Sequence, residues 1–261
     1  MNLNEYDLIV VNSSAGKDSL AALFRIITMA DEQGYPRQRI HVSHQDLGHI
    51  EWPGTKELAE EQANLFGLQF HVVARRRKDG STESILDYAE RRGKWPSNKQ
   101  RWCTSDFKRA PGARVVTALT AGMAKSKILY VFGFRAEESP ARSKKEVLKL
   151  NTMLTTKSRE VWDYLPIHDW TVDKVWSTIK GNNLPYHPAY DKGMPRLSCM
   201  FCIFSPKSAL MIAGRENPAL LDEYIRVEDK IGHTFRDKFS LREVKDAIES
   251  GEESEVLDWV M

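Results

Sequence analysis

The sequence has 261 residues, 41% hydrophobic and 28% charged, which is enough apolar content for a sizeable core and argues against wholesale disorder. Its longest unbroken apolar run is Cys199 to Phe204, far short of the about 20 residues that a membrane-spanning helix needs. A net charge of +2 marks no bulk polyanion or polycation, and three cysteines exclude a disulfide framework and point to free thiols or metal ligation.

Asp7 to Asn12 is a short apolar run that predicts a strand buried on both faces, and Leu20, Leu23, Phe24 and Ile27 follow at helical spacing. Arg39 to Ser43, Leu68 to Ala74 and Lys127 to Phe132 predict further strands, separated by helical stretches at 54–66, 81–93 and 111–122. The alternation predicts an α/β fold, a doubly wound open parallel sheet of about five strands with helices on both faces. Residues 1–180 are expected to form the nucleotide-binding domain. Residues 181–261 are expected to add a Cys-x-x-Cys segment and a helical C-terminal cap on the same domain. Met1 to Asp7 lacks the basic start of a signal peptide, so a cytoplasmic location with no membrane partner is expected.

Charge is uneven along the chain. Arg75, Arg76, Arg77 and Lys78 form one basic block, and seven more cations stand between Arg91 and Arg109 against the single acid Asp106. Glu249, Glu252, Glu253, Glu255 and Asp258 make the C-terminal stretch acidic. The basic stretches suit either solvated faces or a groove for phosphate or a nucleic-acid backbone.

Where the first strand meets the first helix the chain reads Ser13-Ser14-Ala15-Gly16-Lys17-Asp18-Ser19. Small residues allow a tight turn that exposes N–H groups, and the following helix aims its positive end at the turn, so an anion is the expected occupant. The spacing fits neither the Gly-x-x-x-x-Gly-Lys-Ser/Thr loop nor the Gly-x-Gly-x-x-Gly fingerprint. It resembles the Ser-Gly-Gly-x-Asp-Ser pyrophosphate loop of the adenine nucleotide alpha hydrolase superfamily, with Ala15 in place of the first glycine. Four further segments resemble phosphoadenylyl-sulfate (PAPS) reductases in the same order. They are Asp46-Leu47-Gly48 with Trp52-Pro53-Gly54-Thr55; Cys103, Lys108 and Pro111; Gly133-Phe134-Arg135 through Glu138-Ser139 to Arg142; and Leu165-Pro166 through Tyr190 to Gly193.

This resemblance, spread from about residue 8 to 206, implies a PAPS reductase-like member of the pyrophosphate-loop superfamily. By that resemblance Ser13 to Ser19, Asp46, Gly48, Gly133 and Arg135 bind ATP or an adenylyl-sulfate nucleotide. Asp18 or Asp46 helps hold Mg²⁺, and Lys17, Lys108, Arg135 and Arg142 offset negative charge in the reaction. The expected activity is adenylation of an acceptor with release of pyrophosphate, followed by sulfur transfer to that acceptor. The sulfur comes from a donor or partner subunit, and the basic stretch at 91–109 suits a nucleic-acid acceptor. The other readings are a sulfonucleotide reductase and a nucleotide-binding subunit without turnover.

Cys199-Met200-Phe201-Cys202 suits a zinc site, an iron–sulfur cluster or a redox dithiol, and its spacing does not separate them. Relatives with a four-iron cluster carry a Cys-Cys pair where this chain has Trp102-Cys103, which leaves Cys103, Cys199 and Cys202 as the expected ligands of a 4Fe–4S cluster. No cysteine follows Cys202, so the family's C-terminal Glu-Cys-Gly-x-His nucleophile has no counterpart here. Trp162, Trp170 and Trp176 are expected in the core, and His44 and His49 as polar loop residues.

Overall fold

A computed structural model of the chain describes residues 1–253. Glu255, Asp258 and the end of the predicted helical tail lie outside the described residues. The chain forms two compact units interleaved in sequence: residues 1–46, 54–73 and 111–187 make the first, and residues 47–53, 74–110 and the described residues from 188 on the second. The stretch 74–110, read from sequence as part of the nucleotide-binding domain, therefore packs with the C-terminal segment.

In the first unit β1 (Leu8–Ser13), α1 (Lys17–Gln33), β2 (Ile40–Gln45), α2 (Thr55–Asn64) and β3 (Gln69–Val73) follow in turn. Downstream, the second unit contributes α3 (Ile85–Arg92), a single helical turn α4 (Trp102–Thr104) and a π-helical turn at Ser105–Arg109. The first unit resumes in α5 (Ala110–Leu119), followed by β4 (Ser126–Val131), a short α6 (Pro140–Ser143), β5 (Leu148–Leu150), β6 (Arg159–Tyr164) and α7 (Val172–Gly181). The six strands lie in the order β3-β2-β1-β4-β6-β5, parallel except for the edge strand β5, which runs antiparallel to β6.

Alternation along β1 explains the layering. Ile9 and Val11 pack with Leu20, Leu23 and Ile26 of α1 and with Val175 and Ile179 of α7. Val10, between them, joins Ile128, Tyr130 and Val161 against Val115 and Val116 of α5. A strand buried on both faces needs this near-continuous apolar run, and the parallel order needs helical crossovers on both sides. Trp162, Trp170 and Trp176 pack at the edge of the α1 side of the core, as the sequence predicts.

The second unit is largely helical, adding α8 (Lys207–Glu216), α9 (Pro218–Ile231) and α10 (Leu241–Glu249). Ser84 with Asp87 and Ser240 with Glu243 form capping boxes that start α3 and α10, while Gly93 and Gly232 end α3 and α9 in left-handed backbone. Its core gathers Trp95, Tyr224 and Phe235, with the Trp95 and Tyr224 rings stacked at 5.7 Å and Phe235 edge-on to Trp95 at 5.0 Å. Among the described residues no helix is long and apolar enough to cross a membrane.

Candidate functional site

The phosphate-type loop is built by hydrogen bonds among its own small side chains. Ser13 Oγ accepts from the Ala15 N–H at 3.2 Å, Ser19 Oγ accepts from the Ser14 N–H at 3.3 Å, and the Ser19 hydroxyl donates to Gly16 O at 2.8 Å. Gly16 stands at the N-cap of α1 with extended backbone and no side-chain cap, so the positive end of a 17-residue helix opens directly onto the loop. The left-handed position falls one residue earlier, on Ala15, at φ 55°. This is where the superfamily pattern has glycine, and a Cβ there carries strain of about 1 kcal/mol.

Buried side chains from the neighbouring strands hold the loop. His44, 1% exposed, donates through Nδ1 to Ser13 O at 3.0 Å. Gln62 of α2, fully buried, donates to Ala15 O at 3.4 Å and to Pro185 O at 3.0 Å. Next to it, Tyr130 donates to Asn12 Oδ1 at 3.0 Å, Gln45 donates to the same oxygen at 3.4 Å, and burial pushes the Tyr130 phenol up to about 12. Sequence spacing singled out none of Asn12, Gln45, Gln62 and Tyr130. The one available signal was polarity inside strand runs that otherwise read as wholly apolar.

An ion-pair network ties α1 to the segment after β4. Arg135 Nε meets Asp18 Oδ1 at 2.6 Å, and Lys17 Nζ meets Asp18 Oδ2 at 3.2 Å. Burial alone would lift the Asp18 carboxyl, but Lys17 and Arg135 outweigh it and hold it below the ordinary carboxylate range. Arg135 also reaches Glu137 at 3.0 Å, its backbone N–H donates to Glu138 at 2.9 Å, and Glu138 pairs in turn with Arg142. Burial would lower the Arg135 guanidinium, and Asp18 and the two glutamates raise it instead. Gly133 permits the close approach, because a Cβ there would lie 2.5 Å from Asp18 O and 2.8 Å from Ser19 N.

The structure thus brings together Ser13 to Ser19, Gly133, Arg135 and, through Glu138, Arg142. Asp46, just after β2, donates its N–H to Val73 O at 2.9 Å. Both Asp18 oxygens are held by cations, so this carboxylate suits Mg²⁺ poorly. Gly48 opens a short turn with φ 72° in the second unit, where Lys108 also lies. His49 is exposed there and meets Glu223 at 3.1 Å.

All three cysteines belong to the second unit. Cys199 pairs with Glu51 in an isolated antiparallel bridge beside a bond from the Met200 N–H to Ile50 O at 2.9 Å. Cys199 is buried in the core, and Cys103 and Cys202 pack against it. Lys108 is near enough to feel them: burial would lower its ammonium, but Cys199, Cys202, Cys103 and Glu51 raise it above its ordinary value. Burial lifts the Cys103 thiol and pushes Cys199 up to about 12, with Lys108 opposing both shifts. Among the described residues no three His, Cys, Asp or Glu side chains are placed to hold a single metal ion. Thiol side chains are the donors that both zinc and iron–sulfur clusters take.

A family model described as the phosphoadenosine phosphosulfate reductase domain matches residues 8–205. The chain belongs to the phosphoadenosine phosphosulfate reductase family. Among its relatives, an adenosine 5'-phosphosulfate reductase of Lysinibacillus sphaericus is 27% identical over 51% of this chain and 51% of its own length. A 37.8 kDa protein of Escherichia phage 186 is 32% identical over 48% of this chain and 36% of its own length. An uncharacterized protein of Methanocaldococcus jannaschii is 25% identical over 88% of this chain and 50% of its own. The chain therefore spans about half or less of the length of these family relatives. A PAPS reductase from Candida auris, solved as a phosphate complex, shares the fold at TM-score 0.51 and 19% identity, covering 77% of this chain and 85% of that one.

Proposed function

We propose that this member of the PAPS reductase family is an adenine-nucleotide-dependent enzyme of sulfur chemistry. Its loop at 13–19 binds the phosphates of ATP, and the enzyme adenylates an acceptor and supports transfer of sulfur to it. The observation that carries the nucleotide reading is the uncapped start of α1 behind a loop fixed by Ser13, Ser19, His44 and Gln62. In the adenylation, an acceptor oxygen attacks the α-phosphorus, the bond to the β-phosphate oxygen breaks, and pyrophosphate leaves. Backbone N–H groups at the helix start and the Lys17 ammonium are suited to stabilise charge on that leaving group. Arg135 acts by holding Asp18 and the loop in place.

The sulfur half of the reading rests on the packing of Cys103 and Cys202 against the core that buries Cys199. An iron–sulfur cluster would be held by Cys103, Cys199 and Cys202, and when bound it would supply electron storage and a thiophilic Lewis acid. The Lys108 ammonium offsets the negative charge of the thiolates.

A second reading, sulfonucleotide reduction, is supported by the family match over residues 8–205. Calorimetric titration with ATP, adenylyl sulfate and PAPS separates the two. Tight ATP binding with pyrophosphate release on adding acceptor supports adenylation; selective binding of a sulfonucleotide without pyrophosphate release sinks it in favour of reduction. Lys17→Ala is expected to weaken nucleotide binding at least tenfold with an unchanged circular dichroism spectrum. Iron and acid-labile sulfide of about four each per chain in oxygen-free preparations, lost in Cys199→Ser, would support the cluster.

A further inference from the structure

The second unit contains a cavity of about 490 Å³ lined by Arg92, Lys94, Gln100, Arg101, Trp102 and Arg109, together with the hydroxyl residues Thr104 and Ser105. No carboxylate lines it. None of its four cations has an ion pair within 4 Å among the described residues, although neighbouring cations in the same stretch are neutralised. Arg75, Arg77 and Arg91 all converge on the buried Glu83, and Arg77 also reaches Asp87. The nearby Asp106 accepts from the Tyr88 hydroxyl at 2.8 Å and the Ser105 hydroxyl at 2.6 Å, meets Arg75 at 4.0 Å, and attracts Arg92 without a direct pair.

Two of the unpaired guanidiniums are oriented by aromatic faces. Arg101 lies 4.3 Å over Phe204 and Arg92 lies 6.0 Å over Trp102, contacts that order the side chains without consuming their charge. Small-molecule pockets are lined mostly by apolar side chains, and this one is not. Four like charges along one groove call for an occupant whose negative charges are spaced along its length. Trp102 is only 5% exposed and cannot act as a stacking platform, so the groove is equipped to contact a backbone rather than bases.

We propose that this groove binds the phosphodiester backbone of a single nucleic-acid strand without regard to sequence. The proposal deepens the adenylation reading by naming a nucleic acid as the acceptor class, yet strand binding can be measured without nucleotide. Anisotropy titration of the full chain with fluorescein-labelled single-stranded DNA and RNA of mixed sequence, over a salt series, tests it. If four phosphate contacts form, log affinity falls with log salt at a slope of about −3. Arg101→Glu with Arg109→Glu is expected to weaken binding at least tenfold and roughly halve that slope, whereas Lys180→Glu on α7 leaves both unchanged. Arg101→Gln with Arg109→Gln is the milder pair should the reversal of charge perturb folding, and it is expected to lower the slope in the same direction. Preference for DNA or for RNA identifies the strand, and either supports the groove. Absence of strand binding at low salt, or binding with the same slope in both double variants, overturns it. Calorimetric ATP titration of the same samples keeps the two readings apart: lost strand binding with intact ATP binding sinks the groove alone, and the converse sinks the nucleotide loop alone.

Discussion

Two cation-rich regions of this protein solve opposite problems. Around the loop at 13–19, Lys17, Arg135 and Arg142 are bound to Asp18, Glu137 and Glu138, and the Arg135 side chain is 5% exposed. Their pairing holds α1, the loop and the segment after β4 together, and the helix end, its backbone N–H groups and the Lys17 ammonium beside them are the groups suited to meet an anion. In the cavity of the second unit, Arg92, Lys94, Arg101 and Arg109 stay unpaired among the described residues, and their charge is available to a ligand. Cation count alone does not separate such regions; carboxylate placement does.

The contrast can be broken most severely at Asp18. Asp18→Asn leaves two buried cations short of a partner and is expected to destabilise the fold by about 3 kcal/mol, measured by urea denaturation. A loss well under 1 kcal/mol would mean that the network is not structural. Gly133→Ala comes next, because its Cβ would press on the Asp18 and Ser19 backbone, and a loss of about 2 kcal/mol with weakened nucleotide binding is expected. Retained stability and affinity would show that the two segments need not approach so closely.

Acid sharpens the same comparison. The Asp18, Glu83 and Asp106 carboxyls are all held below their ordinary values, in each case against the upward push of burial, by Lys17 and Arg135, by Arg75 and Arg91, and by Ser105, Tyr88 and Arg75 respectively. A carboxyl depressed in the folded state stabilises it above the unfolded pKa, about 4, and loses that contribution as pH falls through the folded value. Thermal melts should therefore be nearly flat from pH 7 to 5 on account of these groups and fall steeply below 4, less steeply in Asp18→Asn. An equal acid limb in that variant would remove Asp18 from the account. The smallest effect is expected at Ala15. Ala15→Gly relieves a left-handed residue but loosens the unfolded chain and removes a buried methyl, so stability should change by less than about 1 kcal/mol. A loss of several kcal/mol would show that the methyl, not the backbone, sets this position.

The parallel sheet was legible because β1 and β4 are apolar runs too short for helices, β2 and β3 are short runs rich in β-branched and aromatic residues, and helical stretches separate them. β5 and β6 escaped notice: Leu148–Leu150 carries too little pattern, Arg159–Tyr164 mixes charged with apolar residues, and their antiparallel pairing is fixed by tertiary contact. The loop and the segment after β4 were legible as motifs, but pairing of Arg135 with Asp18, 117 positions away, was not. Nor did local sequence reveal that residues 74–110 join the C-terminal helices. That follows from long-range packing of Trp95 and Trp102 into the same core as Phe201 and Tyr224. Polar residues inside strands, Asn12 and Gln45, were hidden because alternation records burial and not hydrogen bonding.

The π-helical turn at Ser105–Arg109 places Lys108 five positions after Cys103. Five steps of an ordinary helix carry a side chain well past one full turn, onto a different flank, whereas the wider winding advances each residue less. The extra residue therefore behaves as a phase adjustment, converting chain length into angular position. Deleting Asp106, between Cys103 and Lys108, would keep the ammonium and all three thiols and still re-aim the one relative to Cys103.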